Sequence, residues 1–169
     1  VWRTNPQRIV QLYEELSRQE IVPGVVIAYG SMYGNTQHMM EAVARGLTDA
    51  GVRDIVVHDL ARSHVSYVLR DAWRYGGIVL GTPTYDAGVF LPVRNLLNYF
   101  NAKKLGQRKV GLFGSYGWSG GGVSGLREYA EEAGHEIIEP VVEACFGPSS
   151  DDLEKCAELG RKLGGVLKN

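Results

Sequence analysis

Cysteine is nearly absent: Cys145 and Cys156 are the only two in 169 residues. Two thiols without a short spacing supply neither a metal motif nor a disulfide framework. A charge excess of one sign is missing too. Eighteen Lys and Arg against 19 Asp and Glu leave a formal net charge of −1, which argues against a nucleic-acid or membrane partner. No apolar run reaches transmembrane length and we read no signal peptide, so the expected location is the cytoplasm. The four histidines, His38, His58, His64 and His135, are scattered without ligand spacing, and His38 reads as a solvated surface residue. The chain opens on Val1 rather than Met, and we read it as a fragment or a processed product.

Basic side chains are also missing from the stretch that organises the chain. No Lys or Arg lies between Pro23 and Glu41. Within it, Tyr29-Gly30-Ser31-Met32-Tyr33-Gly34-Asn35-Thr36 follows an apolar run at 25–28 and leads into helical spacing at Met39, Met40, Val43 and Leu47. A strand, a turn of small hydroxyl and glycine residues, and a helix N-terminus make a cradle for an anion. Orphan N–H groups and the positive end of the helix dipole face it. The missing lysine excludes the Gly-x-x-x-x-Gly-Lys loop of triphosphate-binding proteins. Neutral donors alone suit a buried, permanently bound monophosphate, although an ordinary strand-to-helix turn has the same composition.

With 44% hydrophobic residues, the chain is long and apolar enough for one domain with a real core. Asn5-Pro6 caps a helix in which Ile9, Leu12, Tyr13 and Leu16 repeat at helical spacing to about Gln19. Residues 1–21 therefore read as a linker helix and 22–169 as the domain. Strands at 25–28, 54–58, 77–81, 109–114 and 136–144 alternate with helices, among them 64–74, 91–100, 124–133 and 153–167. Such alternation predicts an α/β fold with a parallel sheet covered on both faces. Pro140 cannot donate to a central ladder, which puts the last strand at an edge. These features fit a doubly wound five-stranded sheet in the order 2-1-3-4-5, with its switch point between the first and third strands. Polar loops at 30–36, 82–88 and 115–122 all leave carboxyl ends of strands and converge on one cleft there. Cys156 falls on the apolar face of the closing helix and reads as a buried, reduced thiol.

The second and third loops carry Tyr85, Tyr116 and Trp118 on glycine-rich backbone. Aromatic faces beside close-approaching N–H and C=O groups suit a flat ring with polar edges. A phosphate at one end of the cleft and a planar heterocycle at the other describe flavin mononucleotide (FMN). Loop packing would use the same aromatics, and that alternative stays open.

Ser31-Met32-Tyr33-Gly34-Asn35-Thr36, Gly81-Thr82-Pro83-Thr84-Tyr85 and Gly114-Ser115-Tyr116-Gly117-Trp118-Ser119-Gly120 resemble the three FMN loops of flavodoxins. More closely, they resemble the flavodoxin-like domain of flavodiiron proteins (A-type flavoproteins), and the Asn5-Pro6 helix resembles the segment that enters that domain. The resemblance implies a flavodoxin-like fold. It implies a phosphate held by Ser31, Met32 through its N–H, Tyr33, Gly34, Asn35 and Thr36. Thr82, Pro83, Thr84, Tyr85, Asp86, Ala87 and Gly88 would wrap the ring from one side. Ser115, Tyr116, Gly117, Trp118, Gly120 and Gly121 would do so from the other. A peptide at Gly88 or a neighbour would turn over to meet the reduced ring.

By the same resemblance, electrons pass from a rubredoxin or a flavin reductase to a diiron centre that reduces oxygen or nitric oxide. That centre belongs to a domain absent from this sequence, so no metal ligand and no catalytic side chain is assigned. A homo-oligomer is expected only of the full-length protein. An acidic Asp86 beside the ring would lower its potential unless it turns to solvent. Stand-alone flavodoxins are usually strongly acidic, and a near-neutral balance fits a fused domain better. The rival enzyme is an FMN-dependent quinone or NAD(P)H oxidoreductase on the same fold; Trp118 and Tyr85 are expected to leave its substrate little room. A phosphorylated receiver domain is excluded, because Gly30-Ser31 and Gly81-Thr82 stand where its acidic residues belong. A flavin-free interaction module would be colourless when purified.

Overall fold

The computed structural model describes residues 4–18 and 21–168. Gln19 and the side chain of Leu16, on which the first helical repeat partly rests, lie outside the described residues. The chain runs α1 (Pro6–Ser17), β1 (Val22–Tyr29), α2 (Asn35–Asp49), β2 (Ile55–Asp59), α3 (Val65–Arg74) and β3 (Tyr75–Tyr85). There follow β4 (Gly88–Val89), α4 (Leu91–Lys103), β5 (Lys109–Tyr116), α5 (Gly122–Glu132), β6 (Glu136–Cys145) and α6 (Ser150–Val166). Five strands pair in parallel in the order β2-β1-β3-β5-β6, and the short β4 pairs antiparallel to β3. Counted without β4, this is the 2-1-3-4-5 order expected from the sequence.

Alternation along β1 explains why both faces are covered. Val25 and Ile27 point to one side, where Met39, Val43 and Leu47 of α2 and Cys156, Leu159 and Leu163 of α6 close over them. Val26 and Ala28 point to the other, against Val68 of α3, Val93 and Phe100 of α4, and Leu126 of α5. Burial pushes the Cys156 thiol up to about 12, so it stays a neutral packing group. Pro140 lies in the edge strand β6, where the register against β5 shifts between Ile138 and Val142. An edge strand with an irregular ladder tolerates a residue that cannot donate.

One expectation needs correcting. Residues 82–88 were expected as a long polar loop, but β3 runs on through Tyr85, turns at Asp86 and Ala87, and returns as β4. Thr and Tyr favour extended backbone, and the ladder to β5 continues to Pro83, which pairs with Ser115. Both turn residues have positive φ, 50° and 52°, the geometry of a two-residue type I′ turn.

Candidate functional site

The carboxyl ends of β1, β3 and β5 open into a cleft of about 350 Å³. Its first wall follows β1. Gly34, in the left-handed region at φ 87°, caps α2, and its N–H donates to Ser31 Oγ at 3.1 Å. Helix geometry leaves the N–H groups of Asn35, Thr36 and Gln37 without intrahelical acceptors, aimed where the helix dipole favours an anion. The Thr36 side chain, 1% exposed, meets the Ser115 hydroxyl at 3.2 Å. One buried hydroxyl pair thus joins the first wall to the third.

The second wall is the β3–β4 hairpin. Thr82 is fully buried; its hydroxyl donates to the Pro83 carbonyl at 2.9 Å and accepts from the Phe90 N–H at 3.1 Å. Both bonds knit the hairpin. Thr84 Oγ1 accepts the N–H of Gly122 at 3.0 Å, which ties the hairpin to the start of α5. A second tie depends on Gly121: a Cβ there would sit 2.2 Å from the Ala87 carbonyl oxygen, closer than atoms can approach. Tyr85 lies edge-on to Phe90 with ring centroids 6.0 Å apart. Gly88 is held in the ladder opposite Tyr85 and beside the Arg94 guanidinium.

The third wall follows β5. Ser115, Tyr116 and Gly117 line the cleft, and the Cys145 thiol beside the Tyr116 phenol raises its pKa above the usual value. Gly120 lies against the carboxylate of Glu143, whose own pKa is raised by burial.

The structure therefore sorts the expected site residues into two sets. Met32, Tyr33, Asn35, Thr36, Pro83, Thr84, Tyr85, Asp86, Ser115, Tyr116 and Gly117 line the cleft. Ser31, Gly34, Thr82, Ala87, Gly88, Gly120 and Gly121 lie on the same loops but outside the lining, and Ala87, Gly88 and Gly121 face a separate surface pocket beside Arg94. Trp118 is not in the lining either, and the residue is 98% exposed. One lining residue escapes sequence reasoning altogether. Phe146, at the end of β6, faces the same cleft. Its only signal in the sequence is an aromatic residue just past a strand, before Gly147-Pro148.

Among the described residues, Asp86 is the only Asp, Glu, Lys, Arg or His in the lining. A phosphate would therefore be held by neutral donors, Asn35, Thr36 and Gln37 N–H with the Thr36 and Ser115 hydroxyls. Tyr85 and Tyr116 supply apolar faces at the other loops. These residues fit FMN.

A flavodoxin family model matches residues 27–160. The chain belongs to the flavodoxin family. Membership implies FMN as the ligand of the cleft. Anaerobic nitric oxide reductase flavorubredoxin of Escherichia coli O1:K1 / APEC is 32% identical over 164 residues, 96% of this chain and 34% of the relative. Rubredoxin oxygen:oxidoreductase of Desulfovibrio gigas superposes with a TM-score of 0.88 at 26% identity, over 96% of this chain and 40% of that one. A flavodoxin from the domain Archaea gives 0.76 at 26% identity, over 86% of this chain and 99% of that one. The chain spans about a third of the length of the curated relatives it matches. Among the described residues no helix is long and apolar enough to cross a membrane, and no three His, Cys, Asp or Glu side chains gather as a metal site.

Proposed function

We propose that this chain is an FMN electron-transfer domain, relaying electrons in the cytoplasm from a rubredoxin or flavin reductase to a diiron centre outside the chain. The oxygen or nitric oxide reduction belongs to that centre. The observation that carries this reading is the make-up of the cleft: neutral donors and tyrosine faces, with no nucleophile–base pair among the lining residues. The alignment supports it, since nearly the whole chain matches only the flavodoxin-like third of a flavorubredoxin.

FMN, when bound, supplies one- and two-electron chemistry. The protein's share is position and electrostatics. The N-terminus of α2 would neutralise the phosphate without a cation. The Thr36–Ser115 pair would hold that end to the ring end, and the Thr84 and Gly121 ties would keep the hairpin and third loop at a fixed separation. Asp86 reaches the cleft only from the exposed hairpin tip, where solvent would screen its effect on added negative charge.

A second reading, an FMN-dependent NAD(P)H or quinone oxidoreductase, gains from one observation. Trp118 stands in solvent and does not close the cleft, so a substrate has more room than expected from the sequence. Absorption spectra of the purified protein, followed by anaerobic reduction, separate these readings. A relay domain shows flavin bands, releases FMN on denaturation, and is reduced by dithionite but only slowly by NAD(P)H alone. Rapid reduction by NAD(P)H would favour the enzyme. A colourless protein that takes up no added FMN would sink both.

A further inference from the structure

Phe146 combines features that packing alone does not explain. It follows the last residue of β6 and has φ 60°, in the left-handed region that a bulky aromatic side chain adopts only at a cost. Despite that, its side chain is 61% exposed, so no core contact repays the conformation. The backbone holds it there. The Phe146 N–H donates to the Tyr116 carbonyl at 2.7 Å, extending the β5–β6 ladder by one bond. Three residues later Ser149 and Asp152 form a reciprocal capping box at the start of α6. A connection this short, fixed at both ends, leaves Phe146 little freedom.

The conformation sets the ring beside the third loop and carries the next residue past the start of α2. A Cβ on Gly117 would lie 3.7 Å from Phe146 Cε1, and one on Gly147 would lie 3.8 Å from Asn35 Oδ1. Phe146 thus lines the cleft with its ring beside the third loop, and the residue that follows it passes Asn35 at the start of α2, where the helix N–H groups point. Among the described residues, no Lys, Arg or His lines the cleft to attract a phosphate. An apolar ring beside it lowers the local dielectric, which strengthens hydrogen bonds from neutral donors.

We propose that Phe146 is a fourth wall of the cleft, a binding residue whose strained backbone holds its ring over the phosphate end and excludes water from it. The inference rests on FMN as the ligand. Its signature is selectivity: the ring should matter for FMN and hardly for riboflavin, which lacks the phosphate.

The test is fluorescence titration of FMN and of riboflavin against this chain and the variants Phe146→Gly, Phe146→Asn, Phe146→Tyr and Phe146→Trp, with thermal unfolding of each apoprotein. Gly and Asn both accept the left-handed backbone, so apoprotein melting points should hold or rise, by about 2–4 °C for Phe146→Gly. FMN affinity should fall by about tenfold in Phe146→Gly and Phe146→Asn, while riboflavin affinity changes less than about twofold. Tyr or Trp should restore FMN binding. Unchanged FMN affinity in both Gly and Asn variants would overturn the proposal, as would equal losses for FMN and riboflavin. A wild-type protein that binds neither ligand would instead overturn the FMN reading beneath it.

Discussion

The two ends of the sheet treat backbone and charge in opposite ways. At the amino end, Arg108 is 5% exposed and its guanidinium is spread over the carbonyls of Ala72, Trp73, Tyr75, Gly106 and Gln107. Its backbone N–H donates to His135 Nδ1 at 3.2 Å, and His135 Nε2 lies 3.3 Å from the Tyr129 hydroxyl. Positive φ at that end belongs to Gly51, Lys104 and Gly134, which close the C-termini of α2, α4 and α5. At the carboxyl end, Gly34, Asp86, Ala87, Gly121 and Phe146 also have positive φ, and none of them closes a helix C-terminus. They bend loops around a cleft into which helix donors point. The contrast teaches where function sits. Polar groups are saturated internally where only packing is at stake, and strain collects where a ligand is to be held.

The largest break in that contrast should come from Arg108→Met. It strands carbonyls around the end of α3 with no donor, and should lower unfolding free energy by about 3 kcal/mol. Denaturant unfolding reads this as a lower midpoint at an unchanged slope. FMN affinity of the folded protein should stay within about twofold, because the two ends share no partners. A parallel loss of FMN affinity would show the ends to be coupled.

Acid sharpens the same comparison. Burial first, and the Arg108 charge second, hold the His135 pKa below its usual value. Its Nδ1 already accepts a hydrogen bond, so the folded state resists a proton that the unfolded chain takes near pH 6.5. Between those two values the unfolded state binds more protons, and stability falls as pH drops through the window. The slope is at most about 1.4 kcal/mol per pH unit for this one group. Comparing wild type with His135→Gln by denaturant unfolding from about pH 7.5 to 5.5 isolates the contribution. An unchanged pH dependence in the variant would remove His135 from the account.

The smallest effect lies at the cleft. Ala87→Gly relieves a left-handed alanine and should raise stability by about 1 kcal/mol, seen as a higher melting temperature. A lower melting temperature would mean that the hairpin turn holds no strain.

Much of the architecture was legible because it rests on patterns the sequence carries openly. Apolar strands alternate with amphipathic helices, and Pro140 marks an edge on its own. The three loops could be aligned with one cleft for the same reason. Features that depend on distant partners were not legible. Thr82-Pro83-Thr84-Tyr85 has loop-like composition, and only the ladder to Ser115 makes it a strand. The Asp86-Ala87 turn lacks the glycine that announces a two-residue hairpin. His58 was read as one of four scattered histidines; it is buried and bonded to Asp71 at 2.8 Å, a partner 13 residues away. There burial pushes the Asp71 carboxyl up, but hydrogen bonds from Arg70 and His58 outweigh it and hold it below its usual value. Phe146 is the clearest case, since positive φ is a property of the folded backbone and leaves no mark on a phenylalanine.

The central claim is that a phosphate-bearing flavin is held in this cleft without a cation. Titration of FMN and riboflavin at low and high salt tests it most directly. Neutral donors predict that FMN binds at least about tenfold tighter than riboflavin, with an affinity that changes less than about twofold between roughly 0.05 and 0.5 M NaCl. Equal affinity for the two flavins, or a tenfold weakening of FMN across that range, would contradict it.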